Sequence, residues 1–142
     1  MQLSTEIIIS EPIKKVFDYW ADLEKANEWA APVIERKKLT EGPIGVGTKF
    51  RAIDQFPGRQ IEFIVEITDY KQNRFIAATW SKPMQGGWEV GFQEIEGGTN
   101  LTILANMKPS GILKVLSPIL GIWAKRALQK DLQSFKQRLE TM

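Results

Sequence analysis

Polar and apolar residues alternate along most of this chain and shift to a helical period only in two places. Leu3, Thr5, Ile7 and Ile9 alternate with Gln2, Ser4, Glu6 and Ser10, apolar Ile8 aside, which predicts a first strand. Ser10 then reads as a helix cap, with Glu11 and Pro12 in a first turn that favours both. Ile13, Val16, Phe17 and Trp20 recur at helical spacing. Asp22 marks the cap of a second short helix through Ala26 to Trp29, and Ala31-Pro32 ends it.

Strands are expected over residues 33–39, 48–53, 59–69 and 75–80. The third is the clearest, with Ile61, Phe63, Val65 and Ile67 on one side and Glu62 and Glu66 on the other. Turns are read at 41–47, at Pro57-Gly58 and at 71–73, and a loop over 82–87 with Pro83, Gly86 and Gly87. Gly97-Gly98 fits a two-residue hairpin turn needing positive φ. That turn would pair Glu94 with Leu101, Phe92 with Ile103, Val90 with Ala105 and Trp88 with Met107, all on one side. Short turns between successive strands predict an antiparallel meander. Residues 111–116 read as a short helical turn, and Ser117-Pro118 as the cap and first residue of the one long helix, over 117–142. Leu120, Ala124, Ala127, Leu128, Leu132, Phe135 and Leu139 form its apolar stripe, with Trp123 at the margin and Asp131 inside it. The expected fold class is α+β, a curved antiparallel sheet around a long C-terminal helix.

The chain has 142 residues, 43% hydrophobic and 25% charged, which suits one domain over 1–142. A net charge of +2 without a basic stripe argues against nucleic acid as a partner. The run Arg36-Lys37-Lys38 reads as a solvated strand end. There is no Cys and no His, so disulfides and thiolate chemistry are excluded, and with them the commonest general base and transition-metal ligand. No cofactor and no metal are expected. The N-terminus alternates instead of running apolar, unlike a signal peptide, and no apolar run reaches the ~20 residues of a membrane span. The expected location is cytoplasmic.

The segments EPIKKVFDYWADLEKANEW, GPIGVGTKF, GWEVGFQEIEGGTNLTI and SPILGIWAKRALQKDLQSFKQRLE, in that order, resemble the helix-grip, START-like (SRPBCC) superfamily. Within it they resemble the polyketide cyclase/dehydrase and lipid-transport branch. The resemblance implies a seven-stranded antiparallel sheet gripping the last helix, with a cavity between them for hydrophobic ligands. It implies no single activity, because members range from carriers to cyclases. In the family the loop corresponding to residues 42–50 lies near the cavity mouth.

The glycines of that loop lack phosphate-loop spacing and precede a strand, so a turn explains them. Asp131 is the candidate acid or base; partial desolvation on an apolar stripe would raise its pKa, and the alternative is a hydrogen bond to backbone or an ion pair. Glu94 is placed at a rim. Phe50 and Ala52 make the inner side of their strand, and Arg51 and Asp54 point inward only if that strand is reversed. Tyr19 and Tyr70 are candidate phenolic donors. The expected ligand lining is Phe50, Phe63, Val65, Trp88, Val90, Phe92, Ile103, Ala105 and Met107 on the sheet, with Leu120, Trp123, Ala124 and Ala127 on the helix. Leu113, Leu116, Ile119 and Ile122 would form part of a mouth or lid. Three readings follow. The first is a carrier or sensor of a lipid, polyketide or isoprenoid-like molecule. The second is a polyketide cyclase or dehydratase working through carboxylate and Tyr chemistry. The third is a protein-interaction module, for which Trp29 or Trp80 would be exposed.

Overall fold

The structure, a computed structural model, describes residues 1–56, 58–82, 84–109 and 111–142, with side chains at 112 and 113 excepted. Pro57 of the expected turn, Pro83 of the expected loop and the Leu113 side chain of the expected mouth lie outside the described residues. The order is β1 (Gln2–Ile9), α1 (Ile13–Ala21), a 3-10 helix (Leu23–Glu28), β2 (Val33–Lys38), β3 (Lys49–Phe56), β4 (Arg59–Lys71), β5 (Phe75–Trp80), β6 (Gln85–Ile95), β7 (Gly98–Lys108), α2 (Ile112–Val115) and α3 (Ser117–Thr141). The strands form one antiparallel sheet in the order β1-β7-β6-β5-β4-β3-β2. This is the antiparallel meander expected from the alternation and the helix-grip arrangement that the resemblance implies.

The inner side of the sheet carries Ile7 and Ile9, Phe50 and Ala52, Phe63, Val65 and Ile67, Ile76 and Ala78, Val90 and Phe92, and Leu101 and Ile103. Helix α3 runs along β1 in the same direction. Gly121 lies beside the Met1 thioether, Lys136 Nζ donates to Ile8 O at 2.8 Å, and the Glu140 carboxylate accepts the Ser10 amide at 2.8 Å. Its second half is sealed, with Leu132, Phe135 and Leu139 at 1% exposure or less.

Four local expectations are corrected. Helix α1 begins at Ile13 with Pro12, not Ser10, at the cap position and no side-chain cap bond. The Ser10 amide is already held by Glu140 of α3, so Ser10 belongs to the corner and not to the helix. Helix α3 has Leu116, not Ser117, at the cap position, and Ser117 lies inside the helix. Gly86 and Gly87 lie inside β6, not in a loop. A Cβ on Gly86 would stand 2.6 Å from the Trp80 indole, and one on Gly87 2.7 Å from Ala78 O, so both glycines exist for close approach. The β6–β7 hairpin closes at Ile95↔Gly98, which pairs Phe92 with Leu101, Val90 with Ile103 and Trp88 with Ala105. Each partner sits two residues from the expected one, so every side chain keeps its face. Of the two glycines at the turn, only Gly97 has positive φ, at 82°. Gly98 serves the neighbouring strand, because a Cβ there would lie 2.2 Å from Ile9 O.

Gly98→Ala is therefore expected to lower stability by about 2 kcal/mol or more, in the range of severe core changes. Gly97→Asn, at a φ that Asn tolerates, is expected to cost about 1 kcal/mol or less. Urea denaturation of the two variants checks this ordering.

Candidate functional site

The grip is filled at one end and open at the other. At the closed end, near the β6–β7 turn, Phe17, Phe50, Ile67, Ile76, Val90, Leu101 and Phe135 are all at 1% exposure or less. At the open end, where β1 and α3 begin, the inward-facing Ile61, Trp80, Trp88, Ala105 and Met107 are only half-buried. The same holds across from them on α3 for Leu120, Ala124, Ala127 and Leu128.

An aromatic plug divides the two ends. Phe135 stacks on Tyr19 at 5.2 Å and meets Trp20 and Trp29 edge-on at 5.5 and 5.0 Å. Trp20 also packs on Trp29 at 4.9 Å and edge-on to Trp88 at 5.7 Å. The buried indole N–H groups of Trp20 and Trp29 have no hydrogen-bond partner among the described residues. Edge-to-face ring contacts are the favourable electrostatics left to that cluster. Tyr19 donates to Glu28 Oε1 at 2.9 Å, and burial, then that carboxylate, pushes its phenol up to about 12. Tyr70 is also raised, by burial and then by Asp18. Neither phenol is poised to lose its proton near neutrality.

The open end has one charged pair on its sheet side. Arg36 meets Asp54 through two hydrogen bonds, Nη1 at 2.5 Å and Nη2 at 3.3 Å. Both side chains are largely buried, at 14% and 13% exposure. The Arg36 guanidinium lies 5.5 Å from the Phe63 ring centre, and Phe63 packs against Trp80 at 5.9 Å. This corrects two expectations. Phe50 and Ala52 do face inward, but Asp54 shares their parity and faces inward too, while Arg51 turns outward to Glu35. A register irregularity between Val33 and Glu35 puts Arg36 opposite Ala52, so Arg36 is not part of a solvated strand end. The alternation in β3 already carried this signal in Phe50, Ala52 and Asp54.

Asp131 sits on the side of α3 that faces the link into β2. It is 9% exposed, and its Oδ1 accepts the Ala31 amide at 3.1 Å. Burial raises its carboxyl above the ordinary value; the Ala31 bond and Lys130 oppose that rise. Ala127 lies one turn before it on the same side.

Of the expected lining residues, Phe50, Phe63, Val65, Val90, Phe92 and Ile103 are buried on the inner face, most of them in the packed core. Trp88, Ala105, Met107, Leu120, Ala124 and Ala127 border the open end. Trp123 departs from the expectation: it is 57% exposed, because the stripe margin it occupies turns away from the sheet. Trp29 is buried and Trp80 half-buried, so the exposed tryptophan is neither of those expected. Glu94 is exposed at the closed end, as a rim position requires.

Among the clefts formed by the described residues are three, and none of these three is lined by α3. Two, of about 440 and 430 Å³, lie on the outer face, over Glu89 and the small residues Gly91, Gly87 and Ala77. The third, of about 270 Å³, lies at the closed end between Asp18, Asp22, Ile44, Phe50 and Tyr70, beside the glycine loop. That loop thus borders the end away from the half-buried aromatic surface. No group of three carboxylates is placed to hold a metal ion among the described residues, and no described helix is long and apolar enough to cross a membrane.

The buried charges set two expectations. Arg36→Met leaves the Asp54 carboxylate unpaired on an apolar face and is expected to cost up to about 3–5 kcal/mol, whereas Arg36→Met with Asp54→Leu is expected to regain most of that. Thermal denaturation of the single and double variants checks it. For Asp131 the raised pKa means a contribution to stability that is complete below its unfolded value and is lost as pH rises through its folded value. Asp131→Asn keeps an acceptor for Ala31 without charge, and is expected to match or exceed the parent at pH 7, with the difference shrinking in acid. Asp131→Leu orphans the Ala31 amide and is expected to lose about 1–3 kcal/mol. Denaturation across the pH range separates the two.

The fold agrees with what the chain resembles. No curated protein matches the chain. Among solved structures, TTHA0849 from Thermus thermophilus is 13% identical, with a TM-score of 0.84 over 99% of this chain and 98% of that one. A START superfamily protein from Mycobacterium smegmatis is 14% identical, with a TM-score of 0.81 over 99% and 97%. SA2116 from Staphylococcus aureus, a protein of unknown function, is 16% identical, with a TM-score of 0.78 over 99% and 94%. At these identities the likeness is one of fold. The sequence itself decides the family: residues 1–140 match the model for polyketide cyclase / dehydrase and lipid transport proteins, and the chain belongs to that family.

Proposed function

We propose that the protein binds a small, largely apolar molecule at the open end of the grip, between Trp80, Trp88, Ala105 and Met107 of the sheet and Leu120, Ala124 and Ala127 of α3. The observation that carries this reading is the contrast in burial along one continuous apolar face. The same inner side is sealed at the closed end and left half-exposed at the other, with indole and thioether surface among what remains uncovered. Apolar surface in that state gains about 25 cal/mol for every Å² that a ligand covers. Met107 supplies an adaptable wall. The Arg36–Asp54 pair, at the edge of this surface, gives a polar group on the ligand something to orient against. Lipid, polyketide and isoprenoid-like molecules meet this description.

The enzyme reading would rest on Asp131, whose carboxyl is buried and raised. Its bond to the Ala31 amide gives it a structural task already, and both phenols are held protonated, so binding is the reading favoured. An environment-sensitive apolar dye is expected to bind at micromolar concentration and to quench or shift tryptophan emission. Ala127→Trp, which fills the space beside Asp131, is expected to weaken dye binding about tenfold while the chain stays folded by circular dichroism. Unfolding of Ala127→Trp would mark a packed interior, where overpacking costs about 1–3 kcal/mol or more. A parent protein that takes up no dye and co-purifies with no extractable small molecule would end the binding reading.

A further inference from the structure

Helix α3 has a second apolar face, opposite the buried one and confined to its first half. Ile119, Ile122 and Trp123 are exposed by 70, 61 and 57%, and Val115 and Leu116, just before α3, by 78 and 43%. The other large exposed apolar residues, such as Ile8, Leu39 and Val46, are scattered over separate strands and loops. Isolated exposed apolar residues need no explanation, but a contiguous group does. Further along the same outward side of α3 come Arg126 and Lys130, at helical spacing from Ile119, Ile122 and Trp123. Lys108, Lys114, Lys125, Arg126 and Lys130 all fall within residues 108–130, and that stretch has no Asp or Glu. None of these five forms a salt bridge among the described residues.

We propose that this face docks on the surface of an anionic lipid bilayer. Ile119, Ile122, Val115 and Leu116 enter the boundary between headgroups and acyl chains. The Trp123 indole lies at that boundary, as amphipathic rings do, and Arg126 and Lys130 reach the phosphates. Each cation near an anionic surface strengthens binding about fivefold. The charges also argue against a second copy as the occupant, because a two-fold contact would gather the uncompensated Arg126 and Lys130 of both copies into one interface. Docking in this way lays the open end of the grip against the bilayer, because α3 starts there. The proposal does not depend on the ligand reading, since the face is complete without a ligand.

The test is flotation with phosphatidylcholine vesicles, with and without phosphatidylglycerol, at low and high salt. The protein is expected to float at least about tenfold better with phosphatidylglycerol, and to lose that advantage at high salt. Ile119→Asp with Ile122→Asp, and separately Arg126→Glu with Lys130→Glu, are each expected to reduce flotation about tenfold or more at unchanged circular dichroism. A blue shift of emission on vesicles, lost in Trp123→Phe, is expected to place that ring in the interface. No flotation with phosphatidylglycerol overturns the proposal, as does flotation indifferent to both double variants. So does a parent dimer that Ile119→Asp with Ile122→Asp makes monomeric, because the face would then belong to a second copy. Dye binding measured without vesicles is expected to survive these variants, so failure here and failure of the binding reading remain distinct.

Discussion

Phe135 stands where α1, the 3-10 helix and α3 meet, and the position of the long helix depends on it. Its ring contacts Tyr19, Trp20 and Trp29, three aromatic side chains from the short helices that follow β1. Each such pair contributes about 0.5–1.5 kcal/mol beyond its buried area. The polar bonds around it fix the angle. Lys15 reaches Leu139 O, Glu140 holds the Ser10 amide and Asp131 holds the Ala31 amide. All of these lie in the second half of α3. That half is anchored on two sides, by β1 and by the elements between β1 and β2, while the first half meets β1 where Gly121 lies beside Met1. An open end is the direct result of anchoring a 25-residue helix at one end only.

Much of this was legible because alternation and helical period are strong signals. β5 is read to the residue, and the inner faces of β4, β6 and β7 are read correctly even where the hairpin partners are two residues off. The hairpin misleads because two adjacent glycines have two different tasks. Gly97 supplies a positive φ, and Gly98 makes room for the Ile9 carbonyl. Only the first task belongs to the turn. Gly86 and Gly87 mislead in the same way: a local reading takes glycine for a loop, when what it meets is the Trp80 ring and the Ala78 carbonyl on a neighbouring strand. Space left for another element cannot be read from the segment that leaves it.

The Arg36–Asp54 pair was hidden for a related reason. A register irregularity in β2 changes which side Arg36 takes, and nothing near Arg36 in the sequence announces it. Asp54 was open to view, being in step with Phe50 and Ala52. A lone carboxylate on an apolar strand face calls for a cation across from it, and a neighbouring strand bearing Arg, Lys and Lys supplies one. Asp131 on α3 obeys the same rule with a backbone donor as its partner. Burying either charge is costly, which makes both groups poor sources of stability but strong constraints on how β2 enters the sheet.

The two halves of α3 differ in sequence as they differ in packing. From Asp131 onward the outward side is Gln133 and Gln137, and the inward side is Leu132, Phe135 and Leu139, an ordinary amphipathic helix on a core. Before Asp131 the inward side is Leu120, Ala124 and Leu128, and the outward side is Ile119, Ile122 and Trp123. A helix apolar on both sides needs cover on both. The sheet covers one side, and covers it only in part. The small side chains Ala124 and Ala127 lie on the sheet-facing side and are only partly buried there. Ile119, Ile122 and Trp123 face away from the sheet. A sequence selected only to fill a core would place Ile and Trp inward and Ala outward. These turns of helix carry partly buried apolar side chains on one side and exposed ones on the other.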